Sequence, residues 1–125
     1  MIFDTDVLIW FQRGHRGAAE VLDSATQRVI SVQTYLELIQ NARSKTELRQ
    51  SKGFLAVAEF VIVPITEEIS RRAMVYLEEY GLSHSMDAGD ALIAATAVEL
   101  SYPLTTANGK HYRAVQNLDL RIFKP

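Results

Sequence analysis

No cysteine occurs anywhere in the chain. That single absence removes disulfide scaffolds, thiolate zinc sites, iron-sulfur clusters and cysteine nucleophiles together. Any metal must then rest on oxygen or histidine. The three histidines, His15, His84 and His111, share no spacing of the H-E-x-x-H kind, which argues against a histidine zinc site and leaves them as rim residues at most. Proline is scarce and no Pro/Gly/Ser-rich stretch, repeat or low-complexity segment suggests a linker. No apolar run reaches the roughly 18 residues that a membrane-spanning helix needs. The first apolar run is broken by Asp4 and Asp6 and lacks a basic segment before it, unlike a signal peptide, so no membrane partner and a cytoplasmic location are expected. Gly-rich phosphate loops are missing, since "QRGHRGAAE" has neither the P-loop lysine nor the G-x-G-x-x-G pattern, and there is no G-x-S-x-G elbow. Charge is nearly balanced, at a formal -2 with a pI near 5.9. This excludes coating of nucleic acid by bulk positive charge but leaves room for a local basic rim. Arg13 with Arg16, Arg43 with Lys45 and Arg49, and Lys110 with His111 and Arg113 are the candidates.

What is present describes one folded domain over residues 1–125. A hydrophobic fraction of 48% and a charged fraction of 22% are those of an ordinary globule with a single core. Short apolar runs alternate with helical ones. Strands are expected at 1–4, 28–31, 61–65, 103–106 and 120–123. Helices are expected at 5–13 and 17–25, from a Ser31 cap through "VQTYLELIQNA", at 53–60 after a polar lead-in, from a Thr66 cap to Tyr80 closed by Gly81, and over "HSMDAGDALIAATAVEL". Pro64 should lie near the end of its strand. Strands alternating with helices imply an α/β fold whose parallel sheet is covered on both faces. Ligands of such folds collect outside the carboxyl ends of the strands.

Asp4 lies at such an end, inside the apolar run "MIFDTDVLIWF". An unpaired carboxylate taken out of water costs several kcal/mol at least, so Asp4 and Asp6 there must be paired, hydrogen-bonded, protonated or bound to a cation. In "MDAGDALIAATA" a helical projection sets Asp90 among Ile93, Ala94 and Ala97, on the apolar side. Asp87 and Asp90 could also simply favour the positive end of that helix, an effect of about 0.3 to 1 kcal/mol. Glu37 projects with Gln33, Thr34 and Asn41, opposite Val32, Tyr35, Leu36 and Ile39, which is compatible with a solvated residue. Asn108 in "TTANGK" is equally compatible with an Asn-Gly turn after a strand. The lone Trp10 reads as core or interface.

Four stations, "DTDVLI", "SVQTYLEL", "DALIAATA" and "LTTANGKHY", in this order and over essentially the whole chain, resemble the PIN-domain nucleases. The likeness is greatest to the VapC-like toxins of bacterial and archaeal toxin-antitoxin pairs. It implies a three-layer α/β/α fold with a central parallel sheet of four to five strands and an acidic site for Mg²⁺ or Mn²⁺. Carried over by position, the family's first aspartate falls on Asp4, its helix glutamate on Glu37 and its third acid on Asp90. These three are the implied metal ligands and catalytic residues. Asp6, Asp87, Thr105 or Thr106, and Asn108 stand around them. Asn108 occupies the place of a frequent fourth acid, which weakens a second metal site. Hard cations take oxygen ligands and keep several waters, so an acid cluster without cysteine suits them.

The resemblance therefore implies a metal-dependent endoribonuclease, with an RNA substrate, a cognate antitoxin and a homodimer. Arg13, Arg16 and Lys110 are the candidates for RNA-phosphate contacts. The apolar patches Val7–Phe11 and Leu36–Ile39 are candidate association surfaces, although core packing would explain them too. A PIN-like binding module for RNA or protein without catalytic power is the alternative, and Asn108 is its best support. A phosphate-accepting pocket of the response-regulator kind would need Lys110 after its strand; the acids at the start and "DALIAATA" speak against it.

Overall fold

The computed structural model describes residues 1–125. Its five strands, β1 Ile2–Phe3, β2 Val29–Ser31, β3 Val61–Val63, β4 Leu104–Thr106 and β5 Leu120–Ile122, form one sheet of order β3-β2-β1-β4-β5. Every pairing is parallel, with Ile2 facing Val29 on one side and Leu104 on the other. The expected α/β architecture is thus present, and five strands are at the upper end of the expected range. Running outward from the middle, the order goes 1-2-3 to one edge and 4-5 to the other. The crevice between the carboxyl ends of β1 and β4 is therefore the switch point where such sheets bind ligands.

Because successive side chains of a strand face opposite ways, β1 and β2 each feed two cores. Ile2, Val29 and Leu104 pack on one face with α5 (Glu67–Tyr80), α6 (Ala88–Leu100) and α7 (Gly109–Tyr112). Phe3 and Ile30 pack on the other with α1 (Thr5–Gln12), α2 (Arg16–Ser24), α3 (Val32–Asn41) and α4 (Lys45–Val57). Helix α6 is apolar all round and correspondingly buried, with Ala91, Ile93, Ala94, Ala95, Thr96 and Ala97 inside. No helix is long and apolar enough to cross a membrane.

Local chemistry explains where the elements depart from expectation. Strand β1 stops at Phe3 because Asp4 turns into the N-cap of α1, its side chain accepting from the Thr5 N–H. Helix α4 covers 45–57 rather than 53–60. Ser44 caps it through the Glu47 N–H, and only Ser51 and Leu55 are buried, so its exposed first turns look like a polar lead-in. Helix α6 begins at Ala88, not at His84, because Asp87 and Asp90 form a reciprocal capping box. Gly81 does end α5, but in the right-handed region, so its special backbone freedom is not used. The "NGK" segment is not a hairpin turn; it starts the short helix α7. On α3 the arc Val32, Tyr35, Leu36 and Ile39 is not the buried face. Thr34 and Leu38, one turn apart, are inside while Leu36 is 54% exposed; Leu38 packs in the core and the buried Thr34 hydroxyl is satisfied by accepting from Thr5 at 3.1 Å.

Candidate metal centre

Four elements meet at the switch point. Asp4 follows β1 as the N-cap of α1, α1 carries Asp6 in its first turn, β4 ends in Thr106, and the N-terminus of α6 brings Asp90. Asp4 is only 6% exposed. Its Oδ1 accepts from the Thr5 N–H at 2.7 Å, and its Oδ2 contacts the Thr106 hydroxyl at 2.8 Å and the Tyr112 phenol at 3.0 Å. Asp6 Oδ2 accepts from the Ala107 N–H at 3.0 Å and lies 3.3 Å from the Thr106 hydroxyl. Asp6 Oδ1 is buried with no hydrogen-bond partner. Asp90 Oδ1 meets the same Tyr112 phenol at 3.1 Å, while its Oδ2 holds the Asp87 N–H and lies 3.0 Å from His111 Nδ1.

A proton count shows what this cluster is short of. Thr106 and Tyr112 carry one hydroxyl proton each, yet between them they face carboxylate oxygens in four contacts. Each hydroxyl can donate fully to only one acceptor. Burial accordingly pushes the Asp4 carboxyl up to about 7, with the Asp6 charge adding to the effect and the Thr106 and Tyr112 hydroxyls opposing it. Burial also raises Asp6 and Asp90, and it holds the Tyr112 phenol well above its ordinary value beside the two acids. Either protons or a cation must settle such a pocket, and its donors, all hard carboxylate and hydroxyl oxygens, are those a hard divalent ion accepts. As the side chains stand, no three His, Asp or Glu residues are gathered closely enough to hold an ion. Asp4 and Asp90 converge on the phenol of Tyr112.

Glu37 stands one step away. Its Oε1 accepts from Gln33 Nε2 at 3.0 Å and rests against the start of α6 over Gly89, where a Cβ would lie 2.8 Å from it. The missing side chain at position 89 is what lets the carboxylate approach. Asp87 is exposed and serves as the N-cap, its Oδ1 accepting from the Asp90 N–H at 2.8 Å.

The two threonines of β4 part company. Thr106 points into the acid cluster, whereas the Thr105 hydroxyl meets the Met1 sulfur at 3.0 Å on the opposite face. Asn108 is exposed; its backbone N–H bonds the Thr106 hydroxyl, and its side chain makes no cap. Arg13 is not brought to the acids. It caps the far end of α1, a helix roughly 12 Å long, with its guanidinium 5.7 Å from the Trp10 ring. Arg16 opens α2 beyond it. Lys110 instead lines a groove with Arg113 and Lys124, beside Ala107 and Asn108, which lead directly to Asp6 and Thr106. His15 caps α2 through Ala18 and packs on Trp10 and Phe123, and His84 bonds Ser83, so neither is a rim residue of the cluster.

Sequence reasoning missed the central role of Tyr112 and the contact of His111. Both depend on α7, which presents residues one turn after Asn108 back toward β1 and α6. The signal lies in "NGKHY", which is a helix start as well as a turn pair. The largest concavity, about 470 Å³, lies elsewhere, lined by Phe11, Gln12, Leu38, Asn41 and Phe54 among others, and contains none of these acids.

Comparison with known proteins gives concordant matches. A family model described as PIN domain covers residues 1–117. Ribonuclease VapC10 of Mycobacterium tuberculosis is 38% identical over 122 residues, 94% of this chain and 90% of its own. Ribonuclease VapC1 of Methanocaldococcus jannaschii is 31% identical over 125 residues, 98% of this chain and 86% of its own. Among solved structures, a toxin-antitoxin complex from Klebsiella pneumoniae superposes with a TM-score of 0.82 at 26% identity, covering 99% of this chain and 98% of that one.

Proposed function

The chain belongs to the PIN-domain family as a VapC-like endoribonuclease of the toxin-antitoxin kind, and on that premise we propose that it hydrolyses RNA at the acid cluster. Asp4 and Asp90 are the principal ligands of a divalent cation, Mg²⁺ or Mn²⁺, and Glu37 joins them directly or through water. The observation that carries this assignment is the proton deficit around Asp4, Asp6 and Asp90, together with the orphaned Asp6 Oδ1. When bound, such an ion lowers the pKa of water and offsets charge on phosphoryl oxygens.

The chain's own residues do the positioning. Thr106 and the Ala107 N–H hold Asp6 and Asp4 side by side. The capping box fixes Asp90 at the α6 N-terminus, and Gln33 holds Glu37 above it. Lys110, Arg113 and Lys124 line a groove that includes Ala107 and Asn108, the residues next to Thr106, and suit phosphates flanking the scissile bond, which fix register without reading sequence. Arg13, at the far end of α1, and Arg16, at the start of α2, lie away from that groove and suit a more distant part of the strand. Single-stranded or looped RNA, whose bases are open, fits such a site best.

A nuclease of this kind needs restraint. A cognate antitoxin would supply it, with a tail over the acidic groove and a DNA-binding end acting on the shared promoter. Self-association as a dimer has support in exposed apolar side chains, Leu36 on α3 and Met74, Val75 and Leu77 on α5. Of the Val7–Phe11 patch, Val7 and Leu8 are fully buried, which leaves only the half-buried Ile9, Trp10 and Phe11 for contact. The test is RNA cleavage with Mg²⁺ or Mn²⁺ and with EDTA, for the parent and for Asp4→Asn and Asp90→Asn. Cleavage only by the metal-loaded parent is expected; variants that cut as fast as the parent would show the assignment to be wrong.

A further inference from the structure

We infer that Tyr112 is a positioning residue for the cation, a fixed clamp that limits how far Asp4 at the end of β1 and Asp90 on α6 can separate. The inference rests on the nuclease-centre reading above and adds to it a residue that supplies no ligand. Tyr112 is 1% exposed and its ring belongs to the core beneath the site, so the phenol cannot swing aside without opening a cavity. Its oxygen lies 3.0 Å from Asp4 Oδ2 and 3.1 Å from Asp90 Oδ1. Those two carboxylate oxygens can therefore be no further apart than the two distances laid end to end.

Nothing else joins the two acids. Asp4 has Thr5 and Thr106 as further donors, and Asp90 has Asp87 and His111, but no other side chain touches both. For Asp90 Oδ1 the phenol is the single donor, and its one proton is shared with Asp4 Oδ2 as a three-centre bond. Left without it, Asp4 would be held only through Thr5 and Thr106 and Asp90 only through the α6 capping box and His111, with no bond fixing the distance between them. A carboxylate oxygen has more than one acceptor direction, so a phenol bond on one side leaves lone pairs on the other for a cation. The phenol can thus stay in place when the ion arrives, and its work is done beforehand, in holding the ligands together.

Tyr112→Phe isolates this role because it keeps the ring and removes only the hydroxyl. Mn²⁺ affinity, read by water-proton relaxation on the full chain, should fall about ten-fold, the size of effect seen when outer groups that orient ligands are removed. Cleavage by the variant should be weak at low Mn²⁺ and recover when Mn²⁺ is raised, as a loss of affinity demands and a loss of chemistry would not allow. Thermal melting in EDTA serves to show that the variant is folded. Mn²⁺ affinity within two-fold of the parent, or tighter, overturns the inference. Asp90→Asn is measured beside it. If Asp90→Asn loses Mn²⁺ while Tyr112→Phe does not, the clamp alone is refuted; if Asp90→Asn binds Mn²⁺ like the parent, the metal-centre reading falls and the clamp with it.

Discussion

Two glycines within helices offer a controlled test of what positions Glu37. Gly53 lies in α4 with nothing within 4 Å of where a Cβ would go, whereas a Cβ on Gly89 would sit 2.8 Å from Glu37 Oε1, 3.1 Å from Gln33 Nε2 and 3.4 Å from Asp87 Oδ1. Replacing glycine by alanine in a helix interior stabilises by roughly 0.5 to 1 kcal/mol, because the unfolded chain loses freedom. Gly53→Ala should deliver that gain with cleavage unchanged. Gly89→Ala should gain less, since it lies in the first turn of α6, and it must displace the Glu37 carboxylate and break its bond to Gln33. Those are ends of flexible side chains, so the fold absorbs the shift at a cost within about 1 kcal/mol. Function does not, because displacements on the order of 1 Å at a reacting centre cost up to about 100-fold; a loss of about ten-fold in kcat is expected. Urea melts and RNA cleavage at saturating Mn²⁺ read the two quantities separately. Gly89→Ala that cleaves as well as Gly53→Ala would refute the claim that contact with the α6 N-terminus places Glu37.

Metal-free stability should run against the usual direction with pH. The Asp4 carboxyl is held at about 7 in the fold and titrates near 4 when unfolded, so the folded state binds the extra proton between those values and stability falls as pH rises through them. In EDTA the melting temperature should therefore be higher at about pH 5.5 than at about pH 8, a difference worth a few kcal/mol. Asp4→Asn should flatten that slope and melt higher at the alkaline end; a parent whose stability climbs with pH in EDTA would contradict the buried-acid account. At the end of β4, Thr106→Val removes the one hydroxyl proton that Asp4 and Asp6 share and the acceptor of the Asn108 N–H, and should cost about 1–3 kcal/mol. Thr105→Val loses only a bond to a thioether and should cost under about 1 kcal/mol; equal losses in chemical denaturation would mean that the facing of the two threonines is wrong. Lys110→Ala and Arg113→Ala should raise KM for RNA and lower the salt dependence of binding by about one unit of slope for each phosphate no longer neutralised, with Arg13→Ala as the near-neutral comparison in filter binding.

Periodicity, caps and apolar runs in the sequence were enough to expect a parallel α/β sheet, Asp4 at a strand end and Asp90 on the apolar side of a helix; that Asp90 lies in the first turn came only from the capping box that starts α6 at Ala88. These are local properties: the alternation of one segment, or the face of one helix, is written in its own residues. Tertiary structure alone decided who meets whom. The register that sets Phe3 against Thr105 makes Thr106, one residue on, the threonine that faces the acids, since a shift of one position turns a strand side chain to the other face. Apolar periodicity misjudged α3, where Thr34 and Leu38 face inward and Leu36 is left exposed; Leu38 alone supplies the apolar anchor, and the Thr5 hydroxyl makes it possible to bury Thr34 beside it. Most of all, the pairing of Asp4 with Asp90 through Tyr112 joins three segments far apart in the chain. No local pattern encodes that convergence, because it is created only when the sheet order brings β1 and β4 together and α6 and α7 close over their ends.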